Sequence, residues 1–311
     1  AREPAVTRDG TAISVCANLG AAGEAAHAVD LGADGVGLLR TEFLFAGRGT
    51  LPSEDEQVAV LSQIAAALDG RHLVVRTLDA GADKPLPALP APAEDNPFLG
   101  VRGIRLALAH PDVLDTQLRA ILRVAAAGLP VRAMVPMVSE LSELLAVRAA
   151  LHRARAETGV EAPLALGIMV EVPAAALIAR QLSLHADFFS IGTNDLAQYT
   201  MAADRGDARL AALLAGPQPA VLALVRAAVD GAAAHGRPTA VCGELAGDAA
   251  SAVLLAGLGV TELSVAPPLV AEIKQALRSI SIGDARTAAL SAVDSADADT
   301  ALGIGRELLR E

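Results

Sequence analysis

The chain has 311 residues, 53% of them hydrophobic and 20% charged, with a formal net charge of −11. That balance excludes nucleic acid as the main partner, which needs a basic face, but leaves room for a small anion in a locally positive pocket. Aromatic residues are 2% of the chain and Trp is absent, so the core must be aliphatic, as in helices packed on a parallel sheet.

Ala1-Arg2-Glu3-Pro4 reads as a linker remnant. Residues 1–12 are expected to hold it together with a first hairpin strand, opened by the tight-turn pair Asp9-Gly10. Short apolar runs then recur at 13–19, 35–40, 73–79, 131–138, 164–172, 188–195, 239–245 and 262–266. Stretches with helical spacing lie between or after them, at 21–31, 54–68, 111–126, 140–157, 173–182, 219–235, 248–258 and 268–277. Ser139 and Asp248 stand where helix N-caps belong, and Pro173 suits a first helical turn. Eight strands alternating with helices predict a closed parallel (β/α)8 barrel of the TIM type over residues 13–280. Residues 80–98 form a long loop rich in Pro and Gly, of the kind that serves as a lid or binding loop. Residues 281–311 are expected as a helical tail packed on the barrel, with a helix at 299–310.

The polar residues cluster at the predicted strand ends. Arg40 ends the second strand, Arg76 and Asp79 the third and Glu171 the fifth; Asn194 and Asp195 end the sixth, and Cys242 and Glu244 come late in the seventh. In a barrel these ends share one mouth, where active sites are built. Glu171 and Asp195 are hard oxygen donors of the kind that bind Mg2+ with water and phosphate completing the shell; each alone can equally cap a helix or pair with an arginine. Arg40, Arg76 and Arg205, with Arg102 and Lys84, form a cationic set, and guanidinium forks match phosphate and carboxylate. Cys242 is either an inert core residue or, beside a metal and arginines, a proton donor. Cys16 reads as core, and the six histidines have no ligand spacing. The two cysteines suit a reducing compartment. With no signal peptide and no uncharged apolar run of about 18 residues, the expected setting is cytoplasmic, without membrane insertion. These residues predict a Mg2+-dependent barrel enzyme for a small, phosphorylated anion.

Six ordered motifs sharpen that reading: GVGLLRTEFLF, VVRTLDAGADK, NPFLGVRGIR, IMVEVPAAALIARQL, DFFSIGTNDLAQYTMAADRG and VCGELAGD. Together they resemble the phosphoenolpyruvate-binding domain of the phosphoenolpyruvate-protein phosphotransferase family, Enzyme I of the bacterial sugar phosphotransferase system. Pyruvate phosphate dikinase and phosphoenolpyruvate synthase share a related barrel. The resemblance implies that Glu171 and Asp195 bind Mg2+. It implies that Arg40, Arg76 and Arg205, helped by Asn194, Arg102 and Lys84, hold phosphoenolpyruvate, and that Cys242 protonates the pyruvate enolate. It further implies a homodimer. In that family a separate N-terminal histidine domain accepts the phosphoryl group and passes it to the histidine carrier protein HPr. No Thr-Ser-His acceptor stretch occurs here, so the chain is expected to be the C-terminal half alone, inactive by itself in phosphoryl transfer. Two other functions fit the same residues: a module that only senses phosphoenolpyruvate, and a Mg2+-dependent aldolase, lyase or dikinase-type barrel handling a pyruvate enolate. Pro267-Pro268 after the eighth strand departs from the family pattern.

Overall fold

The computed structural model describes residues 3–81, 86–89 and 94–310. The chain enters with a two-residue strand β1, Ala5–Val6, which turns back through Asp9-Gly10 to pair antiparallel with β2, Ala12–Leu19. Gly10 takes φ +88°, a conformation open to glycine at little cost. The remaining strands follow in order: β3 Val36–Arg40, β4 Leu73–Arg76, β5 Val131–Val135, β6 Leu166–Val170, β7 Phe189–Ile191, β8 Thr239–Val241 and β9 Glu262–Val265. From β2 to β9 each strand pairs in parallel with the next, and β9 pairs back onto β2 from Ser14↔Glu262 to Ala17↔Val265. The result is the closed eight-stranded parallel barrel expected from the alternation.

Alternation along each strand divides the core in two. Val15, Ala17, Val75, Ala133, Val135, Ile168, Val170, Val241 and Leu263 join the large outer cluster shared with the helices. Leu38, Val74, Met134, Met169, Phe188 and Cys242 form a separate cluster within the barrel. The helices meet the outer layer through apolar stripes; Pro111–Ala126, for example, buries Leu114, Leu118, Ile121 and Leu122 at helical spacing. Ser53 and Glu56 form a reciprocal cap on Glu54–Ala67, and Asp248 caps Ala249–Gly257. After the barrel, Ile282–Val293 and Ala298–Leu308 pack on Ala249–Gly257 through Val253, Ala285 and Leu308.

Several expected boundaries differ from the structure. The strands expected at 73–79, 131–138, 188–195 and 239–245 are shorter in the structure and end at Arg76, Val135, Ile191 and Val241. Residues 193–201 are a helix, Thr193–Met201, so Asn194 and Asp195 lie in its first turn rather than at a strand end. Ser139 is not an N-cap: Glu140 caps Leu141–Thr158, with Glu143 reaching back to the Ser139 and Glu140 amides. Helix Ile104–Ala109 is an addition, and the tail holds a second helix where one was expected. Of the long loop, Leu86 packs with Leu44, Phe45 and Leu78. Among the described residues no single helix is long and apolar enough to cross a membrane.

Candidate active site

The mouth of the barrel is a cavity of about 440 Å³. Its wall includes Arg40, Arg76, Glu171, Asn194, Asp195, Arg205 and Cys242, together with Glu42, Asp79 and Glu244. Seven of the eight site residues from the sequence that the structure describes therefore line one space. The eighth, Arg102, stands behind the carboxylates, bonded to them. Lys84 lies outside the described residues.

Arg76, the last residue of β4, is 4% exposed. Its NH2 donates to Glu42 Oε1 at 2.8 Å, and NH1 stands 3.0 Å from Asp79 Oδ2 and 4.0 Å from Glu171 Oε1. Its buried Nε has no acceptor among the described residues. Burial works against its charge, but Asp79, Glu42 and Glu171 outweigh that and keep it protonated. Arg102 is held likewise: NH2 meets Asp79 at 3.1 Å, and NH1 meets Asp195 Oδ1 at 3.1 Å and the Tyr199 hydroxyl at 3.3 Å. Tyr199 donates to the Phe98 carbonyl, tying helix Thr193–Met201 to the segment that carries Arg102. The sequence alone gives Glu42 and Asp79 no role, although both lie within the quoted motifs, in LRTEFLF and RTLDAG.

Glu171 follows β6 directly and is 2% exposed. Its Oε2 accepts from the Met137 amide at 2.9 Å, and Met137 holds φ +60° to present that N–H, an uncommon conformation for a non-glycine residue. Burial, then the neighbouring Asp195 and Asp79, push the Glu171 carboxyl up to about 8, against the pull of Arg76 and Arg102. A Cβ at Gly192 would stand 2.7 Å from Glu171 Cγ, so only glycine lets the chain pass from β7 into helix Thr193–Met201 beside that carboxylate. Asp195 sits in the first turn of that helix, where the backbone dipole favours an anion. Its Oδ2 has Arg205 NH1 at 3.6 Å.

Arg40 ends β3 and is exposed to the cavity, with no carboxylate within ion-pair distance among the described residues. Asn194 makes a reciprocal pair with Glu244, donating to its carboxylate at 3.0 Å and accepting from its amide at 2.8 Å. Cys242 comes one residue after β8 and is 3% exposed, its thiol 3.6 Å from the Ile191 carbonyl. Burial pushes that thiol up to about 11, with the neighbouring Ser190 hydroxyl acting against it. At neutral pH it is a thiol and carries a proton.

Fold and site together define a (β/α)8 barrel whose mouth gathers buried carboxylates, arginines and one protonated thiol around a single cavity. The chain belongs to the family described as PEP-utilising enzyme, PEP-binding domain, which it matches over residues 1–282. It is 52% identical to a multiphosphoryl transfer protein of Xanthomonas campestris over 276 residues, 88% of this chain and 33% of that one. It is 47% identical to a phosphoenolpyruvate-protein phosphotransferase of Haloferax volcanii, covering 91% of this chain and 52% of the relative. The corresponding protein of Haemophilus influenzae is 43% identical, with 93% and 51% covered. The chain thus spans between a third and about half of the length of these relatives. Among solved structures, a citrate lyase of Burkholderia xenovorans shares the fold, with a TM-score of 0.52 at 18% identity over 99% of this chain and 92% of that one.

Proposed function

We propose that the mouth binds phosphoenolpyruvate together with Mg2+. Within a longer protein it would then deliver the phosphoryl group to a histidine of a separate domain, for onward transfer to HPr, releasing pyruvate. The observation that carries this reading is the pairing of a buried, protonated Cys242 with cavity-lining Arg40, Arg76 and Arg205, three forks for one anion beside one acid. The family and the names of the relatives support the substrate and the transfer.

The residues fit Mg2+. Glu171 Oε1 meets Arg76 only at 4.0 Å and Asp195 Oδ2 meets Arg205 only at 3.6 Å, so each carboxylate keeps an oxygen beyond hydrogen-bond distance of its arginine. Glu171 is shifted up by burial first and then by the negative charges of Asp195 and Asp79, and a cation relieves the crowding of those charges. Two carboxylates with water and substrate oxygens make an ordinary Mg2+ shell. When bound there, the ion supplies charge neutralisation and polarisation of phosphoryl and carboxylate oxygens.

The chain's own residues do the rest. Arg76, fixed by Glu42 and Asp79, sets its guanidinium charge at the cavity wall, and Arg40 and Arg205 present donors there, to an anion with about three charges. When the phosphorus–oxygen bond breaks and a phosphorus–nitrogen bond forms on the acceptor histidine, the bonding pair stays on the enolate oxygen. Cys242 then gives its thiol proton to the methylene carbon, yielding pyruvate, and the thiolate regains a proton from solvent. Burial at the cavity wall keeps that proton in place until the enolate forms. A second hollow of about 940 Å³ shares Asn194, Arg205 and Glu244 with the first and gives a path for an incoming histidine side chain. A homodimer is part of the same proposal; exposed Leu177 and Leu184, near the helices after β6, are the apolar surface that supports it.

Calorimetry with phosphoenolpyruvate tests the reading. Binding is expected with Mg2+ present and lost in chelator or in Glu171→Gln. Undiminished binding in chelator would remove the ion from the site.

A further inference from the structure

The opposite end of the barrel carries a second group of ligand-type side chains. Cys16 lies within β2, His72 immediately precedes β4 and Glu262 opens β9. Parallel strands run the same way, so His72 and Glu262 lie at the end away from the mouth. Cys16 Sγ is 3.7 Å from His72 Nε2, and the same nitrogen is 3.3 Å from Glu262 Oε2. All three ligand atoms lie within 4.8 Å of one another, the one such trio found among the described residues. Tetrahedral zinc holds sulfur at about 2.3 Å and nitrogen and oxygen at about 2.1 Å, which sets neighbouring ligand atoms roughly 3.4–3.6 Å apart. The two contacts to His72, 3.7 and 3.3 Å, already have nearly that spacing.

The three side chains already meet in pairs, with the thiol also in reach of the Glu262 carboxylate. Both neighbours converge on a single ring nitrogen, which carries at most one proton. The backbone keeps space around them: a Cβ at Gly35 would stand 2.8 Å from His72 Cε1, and one at Gly37 2.7 Å from Glu262 Oε1. Cys16 is fully buried, whereas the His72 and Glu262 side chains are 19% and 15% exposed, which gives an ion an entry and a water a place as fourth ligand. Without a cation, burial and then Glu262 and Asp34 push the Cys16 thiol well up. A bound divalent ion reverses that, releasing the thiol proton to solvent and binding the thiolate. Thiolate and carboxylate then neutralise the ion, so Arg132, whose charge also acts on Cys16, faces no net positive charge.

We infer that Cys16, His72 and Glu262 form a binding site for a borderline-soft divalent cation of the Zn2+ type at the floor of the barrel. Its effect is structural. β2 and β9 are the strands whose pairing closes the barrel, and His72 leads into β4, so one ion ties the first and last barrel strands to a third.

Titration of the metal-free chain with Co2+ alone, followed by thiolate-to-cobalt charge-transfer absorption, tests this. One equivalent of Co2+ is expected to develop the band, and Zn2+ to displace it. Cys16→Ser should abolish the band, Cys242→Ser should keep it, and Glu262→Gln should weaken Zn2+ affinity by more than about tenfold. Zn2+ should also raise the Tm of the parent and not of Cys16→Ser. Absence of the band in the folded parent, or its survival in Cys16→Ser, overturns the site. Should Cys16→Ser fail to fold, His72→Gln decides in the same way: unchanged Zn2+ affinity there overturns it.

Discussion

Two ion-pair networks in this molecule are built from the same residue types at nearly the same distances. At the mouth, Arg76 and Arg102 meet Glu42, Asp79 and Asp195 at 2.8 to 3.1 Å. On the outside, Arg119 and Arg123 meet Glu54, Asp55 and Glu157 at 2.7 to 2.9 Å. What separates them is water: the two mouth arginines are at most 5% exposed at the side chain, whereas Arg119 and Arg123 are 24% and 39% exposed. Exposed pairs contribute about 0–1 kcal/mol each. A buried network gives up several kcal/mol per ion in lost hydration and often does no better than an apolar core of equal volume. Bond length therefore does not tell a site from a scaffold. The proposed ligand site accounts for a fold that keeps Arg76, Asp79, Arg102, Glu171 and Asp195 dry around a cavity.

That contrast breaks most easily at Cys242. With the histidine domain supplied as a separate polypeptide, turnover should be slow, because the tether's effective concentration is missing. Cys242→Ala should lower it further by about 10²- to 10⁴-fold, the usual worth of a positioned acid. Phosphoenolpyruvate affinity should stay near the parent value, since in the proposed reaction the thiol acts after phosphoryl transfer. A rate unchanged in Cys242→Ala would make the thiol a core residue.

Next in size come the arginines. Arg40→Lys, Arg76→Lys and Arg205→Lys should each weaken phosphoenolpyruvate binding by about tenfold or more in calorimetry, despite the retained charge, because the fork is lost. Parent-like affinity in all three would reduce them to background charge.

The two networks should respond to pH with opposite signs. Glu171, pushed up to about 8 from an ordinary 4.5, binds its proton more tightly folded than unfolded. Its contribution to stability is full below about 4.5 and is lost as pH rises through about 8. Burial pushes Glu54 up, but hydrogen bonds from Arg119 and Arg123 outweigh it and hold the carboxyl below its ordinary value. Its contribution is present above the ordinary value and is lost as pH falls through the lowered one. In Tm measured against pH in chelator, Glu171→Gln should flatten the fall between about pH 4.5 and 8, and Glu54→Gln the acid side below it. The same slope change in both variants would erase the distinction. Smallest of all, Arg123→Ala should leave the midpoint of denaturant unfolding close to the parent's, and closer still at high salt.

Much of the mouth was legible because a barrel strand that ends in a charge has reached solvent or a site. Arg40, Arg76 and Glu171 stand within a residue of their strand ends, and Cys242 one residue beyond its own. Asp195 is placed at a strand end by the sequence, but the strand is only Phe189–Ile191, and Gly192 turns it into a helix that the run of Thr, Asn and Asp does not announce. Glu42 escaped because an acid two residues past an arginine looks like its surface partner; only the fold shows it bonding the arginine of the next strand. Helix Ile282–Val293 escaped because its Ala-rich stretch carries a weak apolar stripe, and its packing depends on Ala249–Gly257, some thirty residues earlier. Cys16 and His72, read as core and structural, become neighbours of Glu262 only when β9 closes onto β2.

The central claim is that the dry charges at the mouth are a reaction centre rather than a structural ion network. Deuterium exchange into the methyl group of pyruvate, followed by proton NMR in Mg2+ and heavy water, reports on it with this chain alone and no acceptor. Exchange catalysed by the parent and lost in Cys242→Ala is the predicted result; equal exchange by both, or none by a folded parent in saturating pyruvate and Mg2+, would contradict it.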